Sequence, residues 1–294
     1  MPELPEVETV RRGLDLAMTG DRIRHVALAR PDLRFPFPER FAARLEGRRI
    51  AAVGRRAKYL MIDLDDGALL AAHLGMTGSF RIAAPSREEA VPGRYHHARS
   101  PAGPHDHVRF EFESGLAITY NDPRRFGFMT LLRRDEIETH PLFRGIGIEP
   151  LGNEFDGHRL AQLLAGKAAP LKAALLDQRL IAGLGNIYVC EALHRAGLSP
   201  RREAGSIVRR DGAPTARAAR LAETIRAVLS EAVEAGGSTL RDYRQADGAL
   251  GTFQHGFRAY DREGQACMTA GCRGTIGRIV QSGRSTFFCA QCQR

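Results

Sequence analysis

Four of the five cysteines fall within the last 28 residues, as Cys267-x4-Cys272 and, after sixteen further residues, Cys289-x2-Cys292. Two close thiolate pairs separated by a hairpin's length of chain can converge on one tetrahedral Zn²⁺, and a module this small cannot hold itself together by apolar burial alone. Four thiolates leave the metal no open position, so the ion expected here, one per chain, is structural rather than catalytic. Disulfides are the competing reading, which a reducing compartment disfavours. The fifth cysteine, Cys190, has apolar neighbours at helical spacing and reads as an inert core thiol.

The cysteine module is also where the charge concentrates. From Cys272 to Arg294 there are four arginines, Arg273, Arg278, Arg284 and Arg294, and no acidic residue, in a chain with formal charge +9 and pI near 9.8. That balance favours a polyanionic partner, nucleic acid or an anionic membrane. The longest apolar runs, such as Gly67 to Leu74, are too short to span a bilayer, and no basic stretch followed by an apolar one opens the chain. A membrane span and secretion are therefore not expected, and the protein reads as intracellular.

Hydrophobic periodicity changes along the 294 residues. Alternating runs predict strands over Ile23–Ala29, Ile50–Val53, Tyr59–Leu64, Ala68–His73, His107–Glu113 and Leu116–Tyr120, the pattern of an antiparallel sandwich or barrel. Ala83 to Pro104 lacks periodicity and reads as an exposed loop. After about Arg134 the leucines recur at three and four, predicting amphipathic helices around Leu160–Leu164, Leu171–Leu176 and Leu221–Val233. Gly236 and Gly237 close the last of these, and the Gly- and Pro-containing stretch from Gly145 to Asn153 reads as a linker.

Several stretches concentrate polar chemistry. A helix ending near Leu180 is expected to meet Gly183-Leu184-Gly185-Asn186, where a second helix begins; such a turn is either a phosphate site or simply a packing turn. RRAKYL sets Lys58 beside Arg55 and Arg56 at a strand entry, HLGMTG carries His73 and Met76 around a turn, and NDPRRFG places Asp122, Arg124, Arg125 and Phe126 on a tight turn. An apolar residue beside two arginines on a loop suits a wedge entering a duplex while cations hold its backbone. A charged hairpin end is the bland alternative. The opening MPELPEVETV reads as a helix start with acidic residues in its first turn, which accounts for Glu6 and Glu8 but not for Pro2 and Glu3.

Taken together, PELPEVET, RRAKYL, HLGMTG, HDHV, DPRRFG, GLGNIY and the four-cysteine finger, in that order, resemble the formamidopyrimidine-DNA glycosylases, bacterial base-excision repair enzymes. The resemblance implies an α+β multidomain fold: an N-terminal antiparallel β-sandwich, a helical helix-two-turn-helix domain and a C-terminal zinc-ribbon β-hairpin. The corresponding bounds are 1–134, a linker over 135–150, 151–250 and 251–294. It implies that Met1 is removed and that the secondary amine of Pro2 is the nucleophile; an α-amino group, with pKa of about 7.7–8.0 against about 10.4 for lysine, is far more often neutral at pH 7. Glu3 is then the general acid/base and Glu6 a supporting carboxylate. Lys58 assists β-elimination, and Arg284 is linked to δ-elimination.

The same resemblance implies that His105, Arg124, Arg125, Lys167 and Asn186 contact DNA, and that Met76, Arg124 and Phe126 fill the gap left by a flipped nucleotide. A lesion-reading loop is expected within Arg241 to Gly256. The implied partner is double-stranded DNA containing oxidised bases, met by a monomer in the bacterial cytoplasm, with no membrane. Two rival functions stand beside this: an endonuclease VIII-like enzyme for oxidised pyrimidines, which the PELPEV opening and the Met76, Arg124, Phe126 set oppose, and a non-catalytic damage-binding protein, which retention of Pro2, Glu3 and Lys58 opposes.

Overall fold

The computed structural model describes residues 2–83, 103–238 and 251–294. The chain divides into two compact units, Met1–Arg144 with Gly236–Gly251, and Gly145–Ala235 with Thr252–Arg294.

The first unit begins with helix α1, Leu4–Met18, capped by Glu3 and Glu6 in a reciprocal capping box with Pro5 in the first turn. Its inward face is Val7, Val10, Leu14 and Met18, at spacings of three and four. The chain continues through β1 (Ile23–Leu28), the short helix α2 (Phe41–Leu45), β2 (Ile50–Arg56), β3 (Tyr59–Leu64), β4 (Ala68–His73), β5 (Ser79–Ala83), β6 (Asp106–Phe112), β7 (Ala117–Asn121) and β8 (Phe128–Arg133). These strands form two four-stranded antiparallel sheets, ordered β1-β6-β7-β5 and β2-β3-β4-β8. Residues from both sheets and α1 share one core, including Leu14, Ile23, Ile62, Leu70, Phe80, Phe110 and Ile118. Each such side chain taken from water stabilises the unit by roughly 1.5–3 kcal/mol. The architecture is the expected sandwich. Strands β5 and β8 were absent from the periodicity reading; they flank the two loops that carry the polar motifs.

The second unit holds α3 (Gly157–Leu164), α4 (Leu171–Leu176), α5 (Asn186–Ala196) and α6 (Ala216–Glu234), then the hairpin β9 (Ile276–Gln281) and β10 (Arg284–Cys289). Asp156 caps α3 by accepting from Arg159 N at 2.7 Å, and Thr215 caps α6 by accepting from Ala218 N at 3.3 Å. Gly197, at φ +69°, closes α5. Helix α6 packs against α3 and α5, and α5 also meets β10.

One expectation is corrected: the helix before the glycine turn ends at Leu176, not near Leu180. The apolar period runs on through Leu180 and Ile181, but the Gln178 side chain takes over the backbone's partners. Its amide donates to the carbonyls of Leu176 and Leu184 at 3.1 and 2.7 Å, and its oxygen accepts from Gly183 N at 2.9 Å. Of the loop expected over Ala83 to Pro104, residues 84–102 lie outside the described residues, as do 239–250 of the expected lesion-reading loop.

Candidate active site and zinc centre

Pro2, Glu3 and Glu6 are all inaccessible, with Glu3 and Glu6 exposed by only 3% and 2%. The Glu6 carboxylate accepts from the backbone N–H of Glu3 at 2.9 Å and from that of Ser238 at 2.7 Å. A helix start therefore explains Glu6 only in part; its second oxygen ties the terminus to the chain after α6. Glu8, by contrast, faces a surface cluster, paired with Arg11, Arg12 and Arg55.

Lys58 and Ala57 form the two-residue turn between β2 and β3, across which Arg56 pairs with Tyr59. Ala57 takes the left-handed conformation, φ +53°, that such a tight hairpin demands of its first turn residue. Lys58 is itself buried. His73, opposite Tyr59 at the end of β4, stacks on Phe128 at 5.5 Å, and its Nδ1 accepts from the Gly75 N–H at 3.0 Å. Burial first, then the charges of Lys58 and Arg34, push the His73 imidazole down to about 4.

The loops carrying Met76 and Phe126 are built around Asp122, which is fully buried. Asp122 accepts from Thr77 Oγ1 at 2.5 Å, from Gly127 N at 2.8 Å and from the Tyr120 hydroxyl at 3.3 Å. Thr77 Oγ1 in turn accepts from Arg124 N at 3.2 Å. Gly127 is required here: a Cβ on it would lie 1.8 Å from the Tyr120 hydroxyl and 2.7 Å from the His73 carbonyl. Held this way, Met76 and Phe126 are 37% and 42% exposed, so neither is a core filler. The Arg124 guanidinium lies 4.7 Å from the Phe126 ring centre. Arg125 is exposed, at φ +54°, and lies 3.9 Å from Asp32. The His105 side chain is exposed, and its carbonyl accepts from Asp122 N at 3.0 Å.

In the second unit Arg284 is exposed beside the turn of the β9–β10 hairpin, and the next residue anchors that hairpin. The Ser285 carbonyl accepts from Asn186 Nδ2 at 2.9 Å and from Lys172 Nζ at 3.1 Å, while Lys172 also donates to Thr286 Oγ1 at 2.6 Å. Asn186 and Arg284 are thereby brought together at one end of α5. Lys167 shares no hydrogen bond or ion pair with either; it lies in the turn after α3, its carbonyl accepting from Gly205 N at 2.8 Å.

The sulfur atoms of Cys267, Cys272, Cys289 and Cys292 all lie within 4.8 Å of one another. The pairs Cys267–Cys292 and Cys272–Cys289 are each 3.7 Å apart. A tetrahedron with Zn–S bonds of about 2.3 Å has edges of roughly 3.8 Å, so the donor set fits Zn²⁺. The Glu191 carboxylate, buried on α5, holds the finger's approach by accepting from the N–H groups of Arg258, Ala259 and Tyr260 at 2.8–2.9 Å.

Family models match three stretches: the formamidopyrimidine-DNA glycosylase N-terminal domain over residues 1–129, the formamidopyrimidine-DNA glycosylase H2TH domain over 146–244, and the zinc finger found in Fpg and IleRS over 264–294. A protein of Beijerinckia indica named formamidopyrimidine-DNA glycosylase is 65% identical, with all of both chains covered. This chain belongs to the formamidopyrimidine-DNA glycosylase family.

The solved structures agree with that membership. The crystal structure of the MutM (Fpg) protein from Thermus thermophilus superposes with TM-score 0.82 at 42% identity, covering 99% of this chain and 98% of the other. That of wild-type Lactococcus lactis Fpg (MutM) with DNA containing N7-benzyl-Fapy-dG gives 0.84 at 32% identity, covering both chains completely. No helix among the described residues is long and apolar enough to cross a membrane.

Sequence reasoning missed several residues that position the candidate site of this glycosylase-family chain. Asp122 was noted only as part of a turn, and Lys172 and Glu191 not at all, although a charged residue inside an otherwise apolar helical period is itself a signal of a buried partner. Arg34 was also missed; its N–H donates to the Gly127 carbonyl at 3.1 Å, and its guanidinium lies 5.4 Å from the exposed Phe35 ring.

Proposed function

We infer that this chain is a DNA glycosylase of base-excision repair with an associated AP-lyase activity, acting on duplex DNA that carries oxidised purines, 8-oxoguanine and formamidopyrimidines. The observation that carries the reading is the buried pair of carboxylates at the chain start, where Glu6 fixes the backbone of Glu3 beside Pro2. A terminus sequestered in this way suits a nucleophile and a proton carrier better than it suits a frayed end.

With Met1 removed, the neutral secondary amine of Pro2 attacks the anomeric carbon of the damaged nucleoside. The C–N glycosidic bond breaks, Glu3 protonates the opening sugar oxygen, and the base leaves with its electron pair. The product is an iminium that acidifies the adjacent carbon. Loss of that proton expels the 3′ phosphate by β-elimination, assisted by Lys58, and δ-elimination linked to Arg284 then expels the 5′ phosphate. Water hydrolyses the remaining iminium and restores Pro2. Met76 and Phe126 occupy the space vacated by the extruded nucleotide, with Arg124 facing the unpaired cytosine, while His105, Arg125, Lys167 and Asn186 hold the backbone. Cys267, Cys272, Cys289 and Cys292 would hold a structural zinc, which would fix the β9–β10 hairpin that presents Arg284. The binding of DNA containing N7-benzyl-Fapy-dG by the Lactococcus lactis relative supports the purine preference. The enzyme works as a monomer in the bacterial cytoplasm, on the nucleoid.

Single-turnover excision from matched duplexes carrying 8-oxoguanine or thymine glycol tests the substrate class. Faster release of 8-oxoguanine is expected; faster release of thymine glycol would transfer the chain to the pyrimidine enzymes.

A further inference from the structure

Helix α5 turns a second ionisable side chain toward the finger, one turn beyond Glu191. His194 is 3% exposed, and its Nε2 lies 3.3 Å from Cys267 Sγ, 73 positions along the chain. Its other ring nitrogen, Nδ1, is buried with no hydrogen-bond partner. The two nitrogens therefore face different chemistry. A proton on Nδ1 would sit in a buried place without an acceptor and would leave the Nε2 lone pair facing the sulfur lone pairs. A proton on Nε2 points a donor at the thiolate and leaves Nδ1 as a bare acceptor, the less costly atom to leave unmatched.

We propose that His194 is a positioning residue of the zinc centre, whose Nε2–H donates to the Cys267 thiolate and slows release of the metal. Four thiolates around one Zn²⁺ leave a net double negative charge in a site whose Cys267 and Cys289 are buried. Hydrogen bonds donated to sulfur disperse that charge and fix the ligand's orientation. Cys272 has such a donor from its own loop, Gly274 N at 3.4 Å. Cys267 also has donors from its own loop, at Thr269, and receives a further one from α5, His194 Nε2, in the same unit. Because Glu191 on that helix also holds residues 258–260, and Asn186 at its start holds Ser285, α5 is braced against the finger at three points. The inference rests on the zinc assignment and is independent of which lesion is excised.

The test uses the full chain carrying one zinc, without DNA, and follows transfer of the metal to the chromophoric chelator 4-(2-pyridylazo)resorcinol. His194→Phe fills the space without an N–H; His194→Gln restores an N–H donor. Outer hydrogen-bond partners of metal ligands commonly alter affinity 10- to 100-fold, so zinc release from His194→Phe is expected to be roughly tenfold faster, with His194→Gln near the wild-type rate. Wild-type release from His194→Phe would overturn the proposal. So would equally fast release from both variants, which would assign the effect to packing. Should His194→Phe fail to fold, ¹⁵N spectra of the zinc-loaded wild-type protein decide: the His194 proton is expected on Nε2, and a proton on Nδ1 alone contradicts the account.

Discussion

Ser238 donates its backbone N–H to Glu6 Oε1 at 2.7 Å, across 232 positions of sequence. The other oxygen of that carboxylate accepts from Glu3 N at 2.9 Å, so one buried side chain sets the backbone next to Pro2 against the chain that follows α6. Hydrogen bonds to a charged group contribute about 1.5–3 kcal/mol each. Glu6→Ala removes both acceptors and is expected to destabilise the protein by about 3 kcal/mol and to slow covalent trapping on damaged DNA more than tenfold. Glu6→Gln, which keeps one acceptor oxygen, should fall between. Urea denaturation and single-turnover trapping measure the two effects; a Glu6→Ala protein that traps at the wild-type rate would remove Glu6 from the site.

Asp122 organises two loops through three donors, so Asp122→Asn replaces an acceptor with an amide N–H that faces donors. A loss of about 1–3 kcal/mol is expected, with weaker binding to lesion duplexes as Arg124 and Phe126 lose their setting. Gly127→Ala should be worse, about 3 kcal/mol or more, since the new methyl would lie 1.8 Å from the Tyr120 hydroxyl. Thermal unfolding and fluorescence anisotropy check both variants.

Phe126 separates function from stability. With 42% of it exposed, Phe126→Ala should shift stability by no more than about 1 kcal/mol. If the ring wedges the base stack, excision of 8-oxoguanine should nonetheless fall at least tenfold. Equal losses in stability and activity would instead make Phe126 a packing residue.

His73 predicts an acid limb in the stability profile. Burial, with the charges of Lys58 and Arg34, holds its folded-state value at about 4, against about 6.5 in the unfolded chain. Between those values the unfolded state binds more protons, so stability rises with pH. The contribution is complete above about pH 6.5 and is lost as pH falls toward 4, by about 3 kcal/mol in all. Denaturation midpoints measured from pH 7 to 4.5 should drop for the wild type, and the drop should be shallower in His73→Gln.

Much of this was legible in the sequence, and what was not has a physical reason. The cysteine spacing, the amphipathic faces of α3, α4 and α6, and five of the eight sandwich strands to within a residue follow from local pattern, because each is set by neighbours along the chain. Strand β5, SFRIA, is short and begins beside Gly78, and β8 follows directly on the NDPRRFG turn, so neither shows a bounded alternation of its own. The end of α4 escaped because a single side chain, Gln178, replaces the helix's hydrogen bonds while the apolar spacing continues. At the candidate site the residue types were visible, but the partners of Glu6, Asp122, Lys172, Glu191 and His194 lie far along the chain or depend on a loop's exact path. Only the fold brings them together.

The most direct test of the central claim is borohydride reduction of the protein with a duplex carrying 8-oxoguanine opposite cytosine, followed by mass mapping of the cross-linked peptide. The account predicts a stable adduct on the nitrogen of Pro2, with Met1 absent. An adduct mapped to Lys58 or another lysine, or excision without any trapped intermediate, would contradict it.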